Sequence, residues 1–181
     1  MPARADDLTE PRTGVRFPGK VGDTTLLGVG LRTKTFVKVK VYVIGLYVAD
    51  SALAGSLKGK TGPALYQELV WGDFPKEVHL HLVRDVSASQ MQEAIRDALE
   101  KADKAKTDQF VSYFTDIKTG EEYVLRWGAG GTLETIAKGT PKPPIADKNF
   151  AAAVFGIWLG DEPIQDDIKR DLVTRVPSAV K

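Results

Sequence analysis

Arg32 and Tyr42 are the residues in this chain best placed to do chemistry. They lie within residues 26–50, LLGVGLRTKTFVKVKVYVIGLYVAD, with a short turn expected between them. A guanidinium only donates hydrogen bonds, whereas a phenol both donates and accepts. If the two converge, they can hold one anionic or carbonyl oxygen. If they do not, Arg32 is an exposed arginine at a turn and Tyr42 a tyrosine on a sheet surface. Along Val37–Val43 the order Val-Lys-Val-Lys-Val-Tyr-Val alternates with period 2, which puts Lys38, Lys40 and Tyr42 on one strand face. That face continues into Ile44 and Leu46, so Tyr42 marks a border between a polar mouth and an apolar interior. Such a border suits an amphipathic acid, with its head at the mouth and its tail inside.

Other constellations carry less. His79 and His81 share a strand face, but a metal needs a third and usually a fourth ligand. There is no third histidine and no cysteine, so the pair reads as polar strand residues and no metal is expected. The absence of cysteine also removes disulfides and thiolate nucleophiles. Asp161, Glu162, Asp166 and Asp167 lack the spacing of an EF-hand loop and suit the first turn of a helix instead. Gly28 and Gly30 lack the third glycine of a dinucleotide fingerprint, so a bulge or close packing explains them better. No G-x-S-x-G elbow is present, and no cofactor is expected.

These residues need a frame. Strands are expected at Val15–Phe17, Thr24–Val29, Phe36–Ala49, Glu77–Arg84, Glu122–Trp127 and Thr132–Ala137, with Arg32–Lys34 as a connection. Helices are expected at Pro63–Val70, from the Ser87 cap to about Lys104, at Asp108–Phe114, at Lys148–Leu159, and from about Gln165 to Thr174. The order predicts an α+β fold, an antiparallel sheet with helices on one face. Residues 1–13 read as a flexible, loosely attached segment and residues 14–181 as one domain. With 25 basic and 24 acidic residues the net charge is +1, which argues against nucleic-acid binding by phosphate neutralisation. The longest apolar run, Phe150–Leu159, is too short to span a bilayer. Ala3-Arg4-Ala5 before Asp6-Asp7 has the look of a signal-peptidase junction, with a cytoplasmic location as the alternative.

The string L-L-G-x-G-x-R-x-K-x-F-x-K-V-K-V-Y-x-x-G-L-Y, residues 26–47, resembles the N-terminal signature of the chalcone isomerase-like family. It is most similar to the bacterial and fatty-acid-binding members. Lys58-Gly59-Lys60, the passage His81–Asp97 and the apolar helix of Phe150–Asp161 extend the resemblance over roughly residues 14–175. It implies a large antiparallel sheet, a helical layer on one side and a ligand cleft between them, an open-faced sandwich. Arg32 stands where the family's arginine engages substrate oxygens or a carboxylate. Tyr42 stands where the isomerases carry a catalytic threonine and the fatty-acid binders a tyrosine. Gln90 and Asp97 are nearest to a tyrosine–asparagine pair of the isomerases and reproduce neither, and Ile157 replaces a Thr or Ser.

The resemblance therefore implies a non-catalytic binder of a fatty acid or similar amphipathic carboxylate. The expected ligand-binding set is Arg32, Tyr42, Ile44, Gln90, Ala94, Asp97 and Ile157. The alternatives are an intramolecular lyase working through Arg32 and Tyr42, and a partner-binding scaffold with a vestigial cleft. Exported bacterial relatives point to the periplasm. The sequence does not give the oligomeric state.

Overall fold

The computed structural model describes residues 6–34 and 39–176. The expected strand start at residues 36–38 and the expected Ala3-Arg4-Ala5 junction lie outside them. In chain order the strands and helices are β1 (Leu8–Thr9), β2 (Arg16–Phe17), β3 (Lys20–Val21), β4 (Thr24–Lys34), β5 (Val39–Ala49), α1 (Asp50–Ala54) and α2 (Gly62–Trp71). There follow β6 (Lys76–Leu82), α3 (Ala88–Ala98), α4 (Lys104–Val111), β7 (Glu122–Gly128) and β8 (Thr132–Ala137). The chain continues through β9 (Thr140–Pro141), β10 (Ile145–Ala146), α5 (Lys148–Leu159) and α6 (Asp166–Asp171). Among the described residues, an eight-stranded antiparallel sheet runs β10-β8-β7-β6-β5-β4-β3, with β9 also on β8. The expected fold class is observed.

The main core lies on one face of this sheet. There Ile44, Leu46, Val78, Leu80 and Leu125 meet Leu69, Phe110, Phe155 and Ile168 of the helices. The opposite face carries a smaller core of Phe17, Leu26, Leu31, Val43 and Tyr47, against which Leu8, Val15 and Val21 pack. The described part of residues 1–13 packs on this face through Leu8. Leu8 pairs with Phe17, and Glu10 is buried with its carboxylate accepting the Arg12 backbone N–H and Nε–H, each at 3.0 Å. Polar composition concealed the apolar anchor Leu8 and the local Arg12–Glu10 ion pair.

Two irregularities in the β4–β5 ladder position everything that follows. The first sits at Leu27, where the register moves from Leu26↔Tyr47 to Gly28↔Leu46. The Arg175 N–H donates to the Leu27 carbonyl at 2.9 Å, tying the chain end to the bulge. Beyond it Gly28 and Gly30 face α6. A Cβ on Gly28 would lie 2.7 Å from the Leu172 carbonyl carbon, and one on Gly30 3.3 Å from Ile168. The glycines are thus inside a strand, where close packing requires them. Arg32 is likewise on β4 and not in a connection.

The second irregularity lies between Arg32↔Tyr42 and Thr33↔Lys40, leaving Val41 as the extra residue on β5. Its carbonyl accepts the Val83 N–H at 3.0 Å. A bulge of this kind changes which side chains face which way. Lys40 and Tyr42 consequently do not share a face, contrary to the alternation. Lys40 is exposed and its Nζ donates to the Arg12 carbonyl at 2.6 Å, whereas Tyr42 joins the helix-side core.

The helices follow their capping residues. Ser87 and Gln90 form a reciprocal capping box at the start of α3. Asp103 accepts the Lys106 N–H at 2.9 Å and starts a separate α4, so the helix expected to reach Lys104 ends at Ala98. Asp147 caps α5 over the expected Lys148–Leu159. Of the acidic group, Asp166 and Asp167 occupy the first turn of α6, where they favour the helix dipole.

Candidate functional site

Arg32 and Tyr42 are directly opposite each other on adjacent strands, and Leu82 continues the row on β6. Convergence thus rests on a ladder pairing and not on a turn. A cavity of about 360 Å³ opens beside this row, between the sheet and α3, α4 and α5. Leu80, Leu82, Tyr123 and Leu125 form its sheet side, while Met91, Ala94, Ile95, Phe110 and Ile157 form its helical side. The polar lining residues are Arg32, Lys34, Arg84, Asp85 and Gln90, of which all but Arg32 are exposed; they mark the mouth. A wide polar groove lined by α3, α5 and the segment after α5 adjoins it and shares Arg32, Gln90 and Ile157.

Arg32 presents its guanidinium partly spent. Its Nη1 donates to the Thr33 carbonyl at 3.1 Å, to Gln165 Oε1 at 3.3 Å and to the Ile164 carbonyl at 3.4 Å. Each of these acceptors is neutral. Among the described residues no carboxylate pairs with Arg32, and Nε and Nη2 meet no protein acceptor, so three N–H donors and a full charge remain for a ligand.

Tyr42 is 6% exposed, and its hydroxyl accepts the Trp158 Nε1–H at 3.0 Å. An indole N–H is a donor only. The phenol oxygen is therefore held as an acceptor towards Trp158, and its own proton is directed elsewhere. Burial raises the Tyr42 pKa, against the opposing influence of the Trp158 hydrogen bond and the Arg32 charge. At neutral pH the hydroxyl keeps its proton and donates. Together the head of the cavity offers donors, which recognise carboxylate or carbonyl oxygen and offer nothing to a donor group.

The remaining expected residues divide. Ala94 and Ile157 line the cavity. Gln90 is at the mouth, but its Oε1 accepts the Ser87 N–H at 3.1 Å and serves the capping box. Asp97 is exposed and lines only the outer groove. Ile44 shares Tyr42's face but is fully buried and does not line the cavity. The space runs across the strands towards β6 and β7, not along β5 as assumed. Trp158 and Gln165 were missed. Trp158 was hidden in an apolar helix whose indole N–H needed a partner 116 residues away. His79 and His81 bond to Glu77 and Glu122, on the strands.

A sheet with one helical layer and a donor-headed apolar cavity between them defines a small-ligand binding fold. The pattern of the chalcone isomerase-like proteins matches residues 14–174, and the chain belongs to that family. It is 27% identical to fatty-acid-binding protein 2 of Arabidopsis thaliana over 95% of this chain and 51% of the relative, so it spans about half that protein's length. It is 28% identical to chalcone isomerase-like protein 1 of Humulus lupulus, over 84% of this chain and 82% of the relative. The crystal structure of an Arabidopsis thaliana fatty-acid binding protein superposes with a TM-score of 0.81 at 20% identity, covering 96% of this chain and 98% of the other. That likeness establishes the fold.

Proposed function

We propose that this protein binds a medium-chain fatty acid, or an amphipathic carboxylate of similar shape, without converting it. The observation that carries this reading is the guanidinium of Arg32, held by neutral acceptors only among the described residues, beside the proton-donating Tyr42 at the head of an apolar cavity. Similarity to a protein named for fatty-acid binding supports it. At ~30 Å³ per water-sized heavy atom, the cavity of about 360 Å³ holds about a dozen such atoms. Burying about ten methylenes contributes roughly 8 kcal/mol gross. A charge-assisted hydrogen bond from Arg32 adds about 1.5–3 kcal/mol. Lost translational freedom and ordering of the tail offset several kcal/mol of this. The tail thus dominates affinity, and Arg32 with Tyr42 selects acids over alcohols.

Two observations weigh against the lyase reading. A phenol whose pKa is raised by burial is a poor general base at neutral pH. Gln90 is engaged in a helix cap and Asp97 is outside the cavity, so neither supplements the pair. On the sequence resemblance we further take the chain to be a bacterial, exported member. Cell fractionation that finds it only in the cytosol removes that part.

Calorimetric titration with dodecanoic acid tests the binding reading. Arg32→Ala is expected to weaken binding more than about tenfold with the melting temperature retained. Equal affinity in wild type and variant would overturn it.

A further inference from the structure

Gln165 joins three partners on β4, among them the cavity-lining Arg32. Its Nε2 donates to the Leu31 carbonyl at 3.0 Å, and its Oε1 accepts the Thr33 N–H at 3.0 Å and Arg32 Nη1 at 3.3 Å. The reason lies in the sheet. β3 pairs with β4 only at Thr24 and Thr25, so the far half of β4 is an edge among the described residues. A side-chain amide carries a donor and an acceptor with the spacing of a peptide group, and Gln165 pairs with Leu31 and Thr33 as a neighbouring strand would. The same oxygen reaches the guanidinium between them.

We propose that Gln165 is a positioning residue that fixes Arg32 towards the cavity without neutralising it, and thereby sets the preference for an anionic head group. This rests on the fatty-acid reading of the cavity. A glutamate at this place would keep the acceptor for Thr33 and Arg32, but would lose the donor to Leu31 and supply an internal carboxylate. That carboxylate would compete with the ligand's own for the same guanidinium. A neutral clamp is what leaves Arg32's charge available.

The test compares dodecanoic acid with 1-dodecanol by displacement of a polarity-sensitive fluorescent probe from the intact chain. Gln165→Glu is expected to weaken the acid more than about tenfold while leaving the alcohol within about twofold, because only the acid needs the cation. An acid as tightly held as in the wild type overturns the proposal. So does equal weakening of acid and alcohol, which is what a merely structural role would give. Should Gln165→Glu fail to fold, Gln165→Met carries the same comparison, with a smaller selective loss of the acid expected and a non-selective loss contradicting it. If the wild type binds neither compound, the fatty-acid reading itself falls and takes this inference with it.

Discussion

At the scale of single residues, the site depends on which hydrogen-bonding capacities are already used. Arg32 is oriented by neutral acceptors, and Tyr42 has its oxygen engaged by Trp158. Removing the indole N–H frees the phenol to rotate and to accept, so Trp158→Phe should reduce the preference for dodecanoic acid over 1-dodecanol. The expected loss is about 1 kcal/mol, roughly fivefold, read as a ratio of affinities by calorimetry. An unchanged ratio would show that the Trp158 bond does not govern the direction of the proton. The types Arg and Tyr were legible in the chain, but their supports were not. Both Trp158 and Gln165 act through contacts more than a hundred residues apart in sequence, which no local pattern encodes.

At the scale of elements, periodicity served well wherever one face alone is buried. The strands around Val78–Leu82 and Tyr123–Trp127 follow their apolar patterns. It failed at β5, which is buried on both faces and whose bulge at Val41 reverses the facing of its side chains. At Gly28 and Gly30 the reading as close packing holds, because α6 packs directly against β4 there. On α3 the small side chain of Ala94 faces the cavity one turn before Ala98 and leaves the space open. Ala94→Leu should fill part of that space. Affinity for dodecanoic acid is expected to fall more than about tenfold, while the melting temperature holds or rises, since filling a void adds packing. A variant that melts lower and still binds as the wild type does would contradict this placement of the cavity wall.

At the scale of the whole molecule, the buried amine of Lys76 lies apart from the site. Lys76 is 1% exposed, donates from Nζ to the Val70 and Gly72 carbonyls at 3.2 and 3.0 Å, and lies 3.9 Å from the centre of the Trp127 ring. Burial pushes its pKa down to about 7, against the raising influence of Glu68 and Asp73. The unfolded chain, with a lysine near ~10.4, binds the extra proton throughout the range between. Stability should therefore rise as pH increases from about 7 towards about 10, by at most ~1.4 kcal/mol per pH unit. Urea unfolding of the wild type and Lys76→Met at pH 7 and 9 checks this. The wild type should gain stability relative to the variant, and parallel behaviour would contradict the assignment. Lys76 lies just before the strand expected at Glu77–Arg84; alternation puts it in the row of Val78, Leu80 and Leu82, and the tertiary fold closes Trp127, Phe74 and Phe155 around it.

The central claim, a carboxylate held by Arg32 and Tyr42 with its tail in the cavity, is tested most directly by native mass spectrometry of gently purified protein. The account predicts that the wild type carries a co-purifying medium-chain carboxylic acid, released on denaturation, and that Arg32→Ala carries much less of it. A wild-type chain that travels at its bare mass after exposure to dodecanoic acid, or an Arg32→Ala chain equally loaded, would contradict it.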